Sequence, residues 1–179
     1  MCYLKRTKGY MLTYQKFENL VIIGYSDSNV PGCQHSKCST SGYIFILVGG
    51  AISWKSAKHT LRAASTMIAE FIACFEASNH GIWLRNFVTS LRVVNGIERP
   101  LQIYCGDKSA VLYSNNNRST TKSKFIDIKF LVVKERVQNK QISIKHLRTN
   151  DILADPLTEG LIPKVFHEHI AHMGVVVSR

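Results

Sequence analysis

Apolar and polar residues alternate with a period of two in the first third of the chain. A short alternation covers residues 10–14, and β-branched side chains fill much of residues 19–26. Two further apolar runs, at 43–48 and 51–55, are joined by a Gly-Gly pair, an arrangement typical of an antiparallel hairpin. The pattern predicts a short leading strand followed by three strands of a sheet.

After Ser65 the apolar period changes to about 3.6 residues, which is typical of an amphipathic helix. The apolar positions that share this period are Ile68, Phe71, Ile72, Phe75, Ile82, Trp83 and Phe87. Polar Ser78 and Asn79 interrupt the stripe. We therefore expect a helix of roughly three to six turns that bends near residues 79–81.

The second half of the chain mixes both periods. Its predicted elements are a strand, two helical segments, a strand, a short helical turn and an amphipathic tail, at residues 100–105, 108–113, 126–137, 141–146, 151–157 and 163–173. This order predicts an α/β domain with a mixed five-stranded sheet flanked by helices. Right-handed crossovers would make the fourth and fifth core strands parallel to the first.

Composition narrows the class of protein. The 179 residues are 45% hydrophobic, which suffices for one packed core, and a net charge of +11 favours a polyanionic partner. The chain has no run of about 18 apolar residues and no apolar signal-peptide core near its start, so we expect no membrane segment and a cytoplasmic or nuclear location. Five cysteines at irregular spacings indicate reduced thiols rather than a disulfide framework.

Glu70 is the one charged residue between positions 67 and 75, at the start of the predicted long helix. It does not complete a capping box, because Ser65 or Thr66 as the cap would need an acidic partner at position 68 or 69. A glutamate at this place is either solvent-facing or part of a site, and the residue pattern leaves both interpretations open.

Three aspartates stand at or near the ends of predicted elements. Asp27 ends the first core strand, Asp107 follows the fourth, and Asp155 lies in the last helical turn. Neighbouring strand ends gather site residues in α/β sheets, so Asp27 and Asp107 are expected near each other. Carboxylates that meet in one cleft could hold Mg²⁺, and two such ions about 4 Å apart can hydrolyse a phosphodiester. Taken singly, each aspartate is more commonly a cap or turn residue.

Seven segments, in this order, are similar to one known family. They are GYSDSNVPGC, STSGYIFILVGGAISWKSAKHT, STMIAEF, IWLRNFV, IYCGDKSA, KFIDIKF and ILADPLTEG. Together they resemble the RNase H region at the C-terminal end of copia-type retrotransposon Pol polyproteins, over residues 20–160. Residues 1–19 resemble the connection that follows the reverse transcriptase, and residues 161–179 form a C-terminal amphipathic tail. The resemblance implies an RNase H-like fold.

The resemblance also implies an activity, the hydrolysis of the RNA strand of RNA–DNA hybrids with two Mg²⁺ ions. Asp27, Glu70 and Asp155 match the family's catalytic and metal-binding carboxylates. Gly106 stands where the family has a further catalytic aspartate. We therefore expect weak or absent cleavage, because a ligand misplaced by about 1 Å already costs about 100-fold in rate.

Asp107 follows this glycine but cannot simply replace the missing aspartate, because one step along an extended segment turns the side chain to the opposite face. We expect it to cap the following helix. A local rearrangement at Gly106 could still bring Asp107 to the metal, so it remains a catalytic candidate. Asn29 and Glu159 also depart from the family pattern, which usually has Asp and Lys at these positions.

Residues 118–148 carry nine basic and two acidic side chains and form the candidate nucleic-acid-binding surface. The residues expected to contact phosphates are Arg118, Lys122, Lys124, Lys129 and Lys134. The same pattern also fits a solvated helix face. The expected partners are an RNA–DNA hybrid or another nucleic acid, and the remaining portions of Pol. Three alternatives stay open: an impaired nuclease, a binding module that does not cleave, and a fragment without function.

Overall fold

The computed structural model describes residues 7–14, 20–30, 38–62, 65–91, 100–115 and 124–177. These segments form strands β1–β7 at Tyr10–Leu12, Ile22–Asn29, Cys38–Leu47, Gly50–Arg62, Leu101–Cys105, Ile142–His146 and Val175–Val177. Helices α1–α4 span Thr66–Ser90, Lys108–Asn115, Lys124–Gln138 and Pro163–His172, and short 3-10 turns form at Thr149–Asp151 and Asp155–Leu157. Within this described part of the chain, no helix combines the length and the apolar character needed to cross a membrane.

Five strands form one mixed sheet in the order β4-β3-β2-β5-β6. Strand β3 pairs antiparallel with β2 and β4, whereas β5 runs parallel to both β2 and β6. The prediction of a mixed five-stranded sheet, with the fourth and fifth core strands parallel to the first, is confirmed. Because β2 is the central strand, its carboxyl end has a neighbouring strand on each side.

Helix α1 lies against this sheet and is longer than the sequence indicated. Its 25 residues make about seven turns rather than three to six, and helical structure continues through residues 79–81. Ser78 does not interrupt the helix, because its buried hydroxyl donates to the Phe75 carbonyl at 2.8 Å and accepts a hydrogen bond from Arg136 Nη1 at 2.7 Å. The polar side chain in the apolar stripe is thus satisfied, and it ties α1 to α3.

Phe45 of β3 fills the space between α1 and the sheet. Its ring is fully buried and occupies room left by two glycines. A Cβ atom at Gly24 would lie 2.6 Å from the ring, and one at Gly81 would lie 2.8 Å from it. These two positions therefore let α1 pack closely on β2 and β3.

The opposite face of the sheet is covered by the C-terminal part of the chain. Ile44 and Ile46 pack there with Ile152 and Met173, the latter just after α4. Strand β7 then pairs antiparallel with β1 in a separate two-stranded sheet. The sequence analysis did not predict β7, because three residues that pair with the opposite end of the chain have no local signature.

We predict that Ser78→Ala lowers the free energy of unfolding by about 1–3 kcal/mol, because it leaves the half-buried Arg136 guanidinium without this acceptor. Ser90→Ala is the matched control, since its hydroxyl also bonds the carbonyl three residues earlier, that of Phe87, but the residue is exposed. Urea unfolding of both variants provides the measurement. Equal stabilities of the two variants would contradict the prediction.

Candidate functional site

A cleft of about 450 Å³ opens at the edge of the sheet where β2 and β5 end. Its lining residues are Asp27, Ser28, Asn29, Thr66, Glu70, Gly106, Asp107, Lys108, His146, Asp155 and Glu159. Asp27, Glu70 and Asp155 come from β2, from α1 and from the turn at Asp155–Leu157, and all three are buried. The fold thus brings together three acidic residues that are far apart in the sequence.

The parallel pairing of β2 with β5 and the N-cap of α1 account for the convergence of these residues. Ser26 of β2 lies beside Cys105 of β5, so the carboxyl ends of the two strands share one edge. Ser65 caps α1 by accepting a hydrogen bond from the Ile68 backbone N–H at 3.2 Å. The helix therefore starts beside this edge, with Glu70 in its second turn and outside the cap.

Glu70 is only 7% exposed, which excludes the solvent-facing interpretation. Its Oε1 accepts a hydrogen bond from the Ser28 backbone N–H at 3.0 Å, and its Oε2 accepts one from the Cys105 thiol at 3.4 Å. Burial first, and then repulsion from Asp27, raises the pKa of Glu70 to about 10. Glu70 therefore keeps its proton at neutral pH in the metal-free protein.

Cys105 belongs to a buried group of thiol and hydroxyl side chains behind the cleft. Ser26 Oγ lies 3.0 Å from Cys74 Sγ, and both Cys74 and Cys105 are free thiols. A hydrogen bond with Cys74, together with burial, raises the pKa of Cys105, so Cys105 stays neutral and donates to Glu70. The sequence analysis missed this donor, because a cysteine at the last position of a strand has no local feature that marks such a role.

Asp27 and Asp155 line the same cleft as Glu70 and lie close enough to repel each other. Thr158 Oγ1 donates a hydrogen bond to Asp27 Oδ2. Asp155 is 5% exposed, and within the described residues its buried Oδ1 has no hydrogen-bond partner. Burial, followed by repulsion from Asp27 and Glu159, raises the pKa of Asp155 to about 7. Thr158 was also not predicted as a site residue, because the sequence marks it only by its position three residues after Asp155.

Asp107 lines the cleft and also caps a helix. Its Oδ1 accepts hydrogen bonds from the backbone N–H groups of Ser109 at 2.6 Å and Ala110 at 3.3 Å. These bonds make it the N-cap of α2, the role expected from the sequence. Gly106 brings no side chain to the cleft, so at this strand end the nearest carboxylate has one oxygen committed to the helix.

The oxygen atoms of the cleft fit a divalent cation in part. Carboxylates suit Mg²⁺, and the buried Asp155 Oδ1, near Asp27, is an oxygen without a hydrogen-bond partner among the described residues. Among the residues that the structure describes, however, no three acidic, histidine or cysteine side chains stand close enough to hold a metal ion. Both oxygens of Glu70 already accept hydrogen bonds, so Asp27 and Asp155 are the residues best placed to bind a cation.

The predicted nucleic-acid-binding residues fall into three groups. Arg118 and Lys122 lie outside the described residues, and Lys124 begins α3. Lys129 is half-buried, with its Nζ 4.9 Å from the centroid of an aromatic ring on α1, and Lys134 is half-buried as well. Binding of nucleic acid by this set stays a prediction.

Asn29 and Glu159, two positions that depart from the family pattern, contact each other at the cleft. Asn29 Nδ2 donates a hydrogen bond to Glu159 Oε2 at 3.0 Å. The sequence analysis expected Asp and Lys at these two positions from the resemblance. Because the two side chains share one hydrogen bond, the two expected departures form one contact.

The chain is similar to transposon polyproteins over most of its length. It is 32% identical over 162 residues to the Retrovirus-related Pol polyprotein from transposon TNT 1-94 of Nicotiana tabacum, and 30% identical over 173 residues to that from transposon RE1 of Arabidopsis thaliana. These matches cover 90% and 97% of this chain, but 12% of each polyprotein. No protein-family model matches the chain.

Several solved structures share the fold at low sequence identity. LC11-RNase H1 in complex with RNA/DNA hybrid gives a TM-score of 0.54 at 15% identity, over 81% of this chain and 99% of that one. The N-terminal RNase H domain of a Mycobacterium tuberculosis protein gives 0.57 at 10% identity, over 86% and 98%. The foamy viral protease-reverse transcriptase, also in complex with RNA/DNA hybrid, gives 0.52 at 17% identity, over 83% and 21%. The predicted RNase H-like fold is confirmed.

We predict that Glu70→Gln stabilises the metal-free protein more at pH 8 than at pH 5. Folded Glu70 keeps its proton, whereas the unfolded chain loses it above a pKa of 4.5. The contribution of Glu70 to the free energy of unfolding therefore falls as pH rises, by up to about 1.4 kcal/mol per pH unit, whereas glutamine stays neutral.

Urea unfolding in EDTA at the two pH values checks this prediction, with Glu135→Gln on the exposed side of α3 as the control. A stability difference between native protein and Glu70→Gln that is the same at both pH values would show that Glu70 is not held protonated.

Proposed function

We propose that this chain, whose homologues are copia-type Pol polyproteins of plant transposons and whose fold is that of RNase H domains, hydrolyses the RNA strand of RNA–DNA hybrids with divalent metal ions. Asp27, Glu70 and Asp155 are the proposed catalytic carboxylates. Gly106, in the place of a further aspartate, weakens the activity.

The convergence of three buried carboxylates on one cleft carries this proposal. Each comes from a different element. Burying each carboxylate costs free energy, and the packing of the core does not require an acidic side chain at these positions. The raised pKa values of Glu70 and Asp155 have the same cause, the crowding of like charges away from water. Such clusters in clefts are typical of sites that bind cations or move protons.

Asp27 and Asp155 are the proposed metal-binding residues, and Glu70 joins them once its proton has left. Bound Mg²⁺ would activate a water molecule and stabilise charge on the leaving oxygen. The chain's own residues orient the carboxylates. Thr158 holds Asp27, while a backbone N–H and a thiol hold both oxygens of Glu70.

The proposed substrate class rests on charge and on the likeness to solved structures. A net charge of +11 favours a polyanion, and two proteins of the same fold were solved with RNA/DNA hybrid. Lys108 is exposed at the cleft and is placed to contact a phosphate. The proposed backbone-binding surface adds Arg118, Lys122, Lys124, Lys129 and Lys134.

A second candidate function is binding of nucleic acid without cleavage. It is favoured by the absent side chain at Gly106 and by the hydrogen bonds that commit one oxygen of Asp107 to α2. It is also favoured by the engagement of both oxygens of Glu70. A cleft with so few free carboxylate oxygens would hold one cation more readily than two.

We predict that Gly106→Asp raises the rate of Mg²⁺-dependent cleavage of an RNA–DNA hybrid by about 100-fold, because it restores a carboxylate at the end of β5, next to β2. The assay compares the native chain, this variant, and the variant combined with Asp27→Asn, at fixed ionic strength. The combined variant should lose the gain, because it lacks one of the residues proposed to hold the metal.

Three outcomes of this assay decide between the candidates. A native rate equal to that of Gly106→Asp contradicts the proposed impairment. Cleavage that survives Asp27→Asn contradicts the proposed site. If no variant cleaves but each still binds hybrid with an affinity that falls steeply with salt, the chain is better described as a binding module.

We predict that Asp107→Asn, made in the Gly106→Asp background, changes the cleavage rate by less than about twofold, because asparagine caps a helix as well as aspartate does. The same cleavage assay measures it. Asp107→Ala serves as the control for the cap and should destabilise the fold by about 1 kcal/mol in urea unfolding. A tenfold or greater loss of rate with asparagine, on the order expected for a lost metal contact, would instead place Asp107 at the metal.

A further inference from the structure

We propose that Thr158 and Gly42 are positioning residues for the two aspartates of the cleft. Thr158 fixes the carboxylate of Asp27, and Gly42 gives the turn at Asp155–Leu157 room to reach β2. This inference rests on the function proposed above and adds two residues to the machinery of that cleft. Both act through the aspartates rather than by contact with substrate.

Thr158 contacts both aspartates, Asp27 through its hydroxyl and Asp155 through its backbone N–H. Its Oγ1 donates to Asp27 Oδ2 and lies 3.0 Å from the carbonyl oxygen of Asp155. Its backbone N–H donates to the same carbonyl at 3.0 Å. The backbone N–H therefore ties Thr158 to the turn that carries Asp155, and the hydroxyl reaches across to β2. A carboxylate restrained by such a donor samples fewer orientations, which preorganises its other oxygen for a ligand.

The turn that carries Thr158 is itself firmly anchored. Ile152 and Ala154 are fully buried, and the Asp155 backbone N–H donates to the Ile152 carbonyl at 3.2 Å. Pro156 presets the backbone angle φ at the start of the 3-10 turn. The position of Thr158 relative to Asp155 is thus set within the turn. Its distance from β2 depends on how closely the turn approaches the sheet.

Gly42 determines that approach. It lies opposite Asp27 in the pairing of β2 with β3. A Cβ atom at Gly42 would stand 2.8 Å from Leu157 Cβ and 2.9 Å from Thr158 Cγ2. Leu157 Cβ is attached directly to the backbone, and Thr158 Cγ2 can move only by a rotation that also moves the hydroxyl, so we expect the turn itself to move away. It would take the Asp155 carboxylate and the Thr158 hydroxyl with it.

A purely structural role for the Thr158 hydroxyl would not need its bond to Asp27. Within the turn the Asp155 carbonyl oxygen, 3.0 Å away, could accept the single hydroxyl proton instead. The bond to Asp27 joins residues 131 positions apart, and Asp27 and Asp155 both line the cleft. The contact therefore aligns the two carboxylates rather than completing the turn.

We predict that Thr158→Val, which keeps the side-chain shape but removes the hydroxyl, shifts the carboxyl ¹³C resonance of Asp27 in the metal-free native chain. In the Gly106→Asp background it should also raise the Mg²⁺ concentration for half-maximal hybrid cleavage about tenfold, the size of effect seen when a metal ligand loses its supporting hydrogen bond. Thr158→Ser retains a hydroxyl and should restore both readings.

Gly42→Ala is the second arm of the same experiment. The displaced turn removes the hydroxyl from Asp27, so we expect the same resonance shift and the same weakening of Mg²⁺ dependence. Gly160→Ala, in the same segment, is the matched control, because a Cβ atom there meets nothing within 4 Å. This control should leave both the Asp27 resonance and the Mg²⁺ dependence of cleavage unchanged.

Each outcome decides one of the two hypotheses. An unchanged Asp27 resonance in Thr158→Val overturns the positioning role, whatever the cleavage rate. Equal effects of Thr158→Val and Thr158→Ser, or of Gly42→Ala and Gly160→Ala, overturn it as well, because they would indicate general disturbance of the segment. If the resonance shifts as expected but no variant cleaves, the positioning role is supported and the proposed nuclease function fails.

Discussion

Three carboxylates held away from water at one edge of a sheet repel one another, and the arrangement of the cleft follows from how that repulsion is relieved. Glu70 keeps a proton, and its two oxygens accept hydrogen bonds from a backbone N–H and a thiol. Asp27 accepts a hydrogen bond from Thr158. Asp155 has a buried oxygen without a partner among the described residues. Hydrogen bonds thus satisfy both oxygens of Glu70, whereas one buried oxygen of Asp155 has no partner among the described residues. A bound cation would therefore lower the repulsion most at Asp155.

The sequence predicted what depends on local pattern, and missed what depends on pairs of distant residues. Runs of period two and right-handed crossovers were enough to place the end of β2 beside that of β5, and hence Asp27 at an edge where site residues gather. Failure of the capping box was enough to single out Glu70. Ser78 looked like an interruption of the apolar stripe because its partner, Arg136, lies 58 positions away. The Thr158 hydroxyl was invisible for the same reason, since a turn threonine is ordinary until its acceptor on β2 is known.

Departures from the family pattern gain meaning only from their spatial neighbours. Asn29 and Glu159 lie far apart in the sequence but share a hydrogen bond at the cleft, so together they describe one altered contact. The adjacent Asp107 does not replace the side chain missing at Gly106, because one of its oxygens caps the N-terminus of α2. If the proposed function holds, the missing carboxylate at Gly106 is therefore the departure with the most direct bearing on cleavage. It would remove a cation ligand without changing how the strand ends are held.

Stability and catalysis make opposite demands on this cleft. A further carboxylate at position 106 would add to the repulsion that raises the pKa values of Glu70 and Asp155, so under the proposed function glycine there would favour the metal-free fold and weaken cation binding. The packing that holds the sheet and α1 together, centred on the buried Phe45 ring, does not involve this position. The core therefore supports the RNase H fold whichever residue stands at position 106. Retention of the fold therefore does not indicate that the chain cleaves nucleic acid. The activity of the acidic cleft has to be tested separately from the stability of the fold.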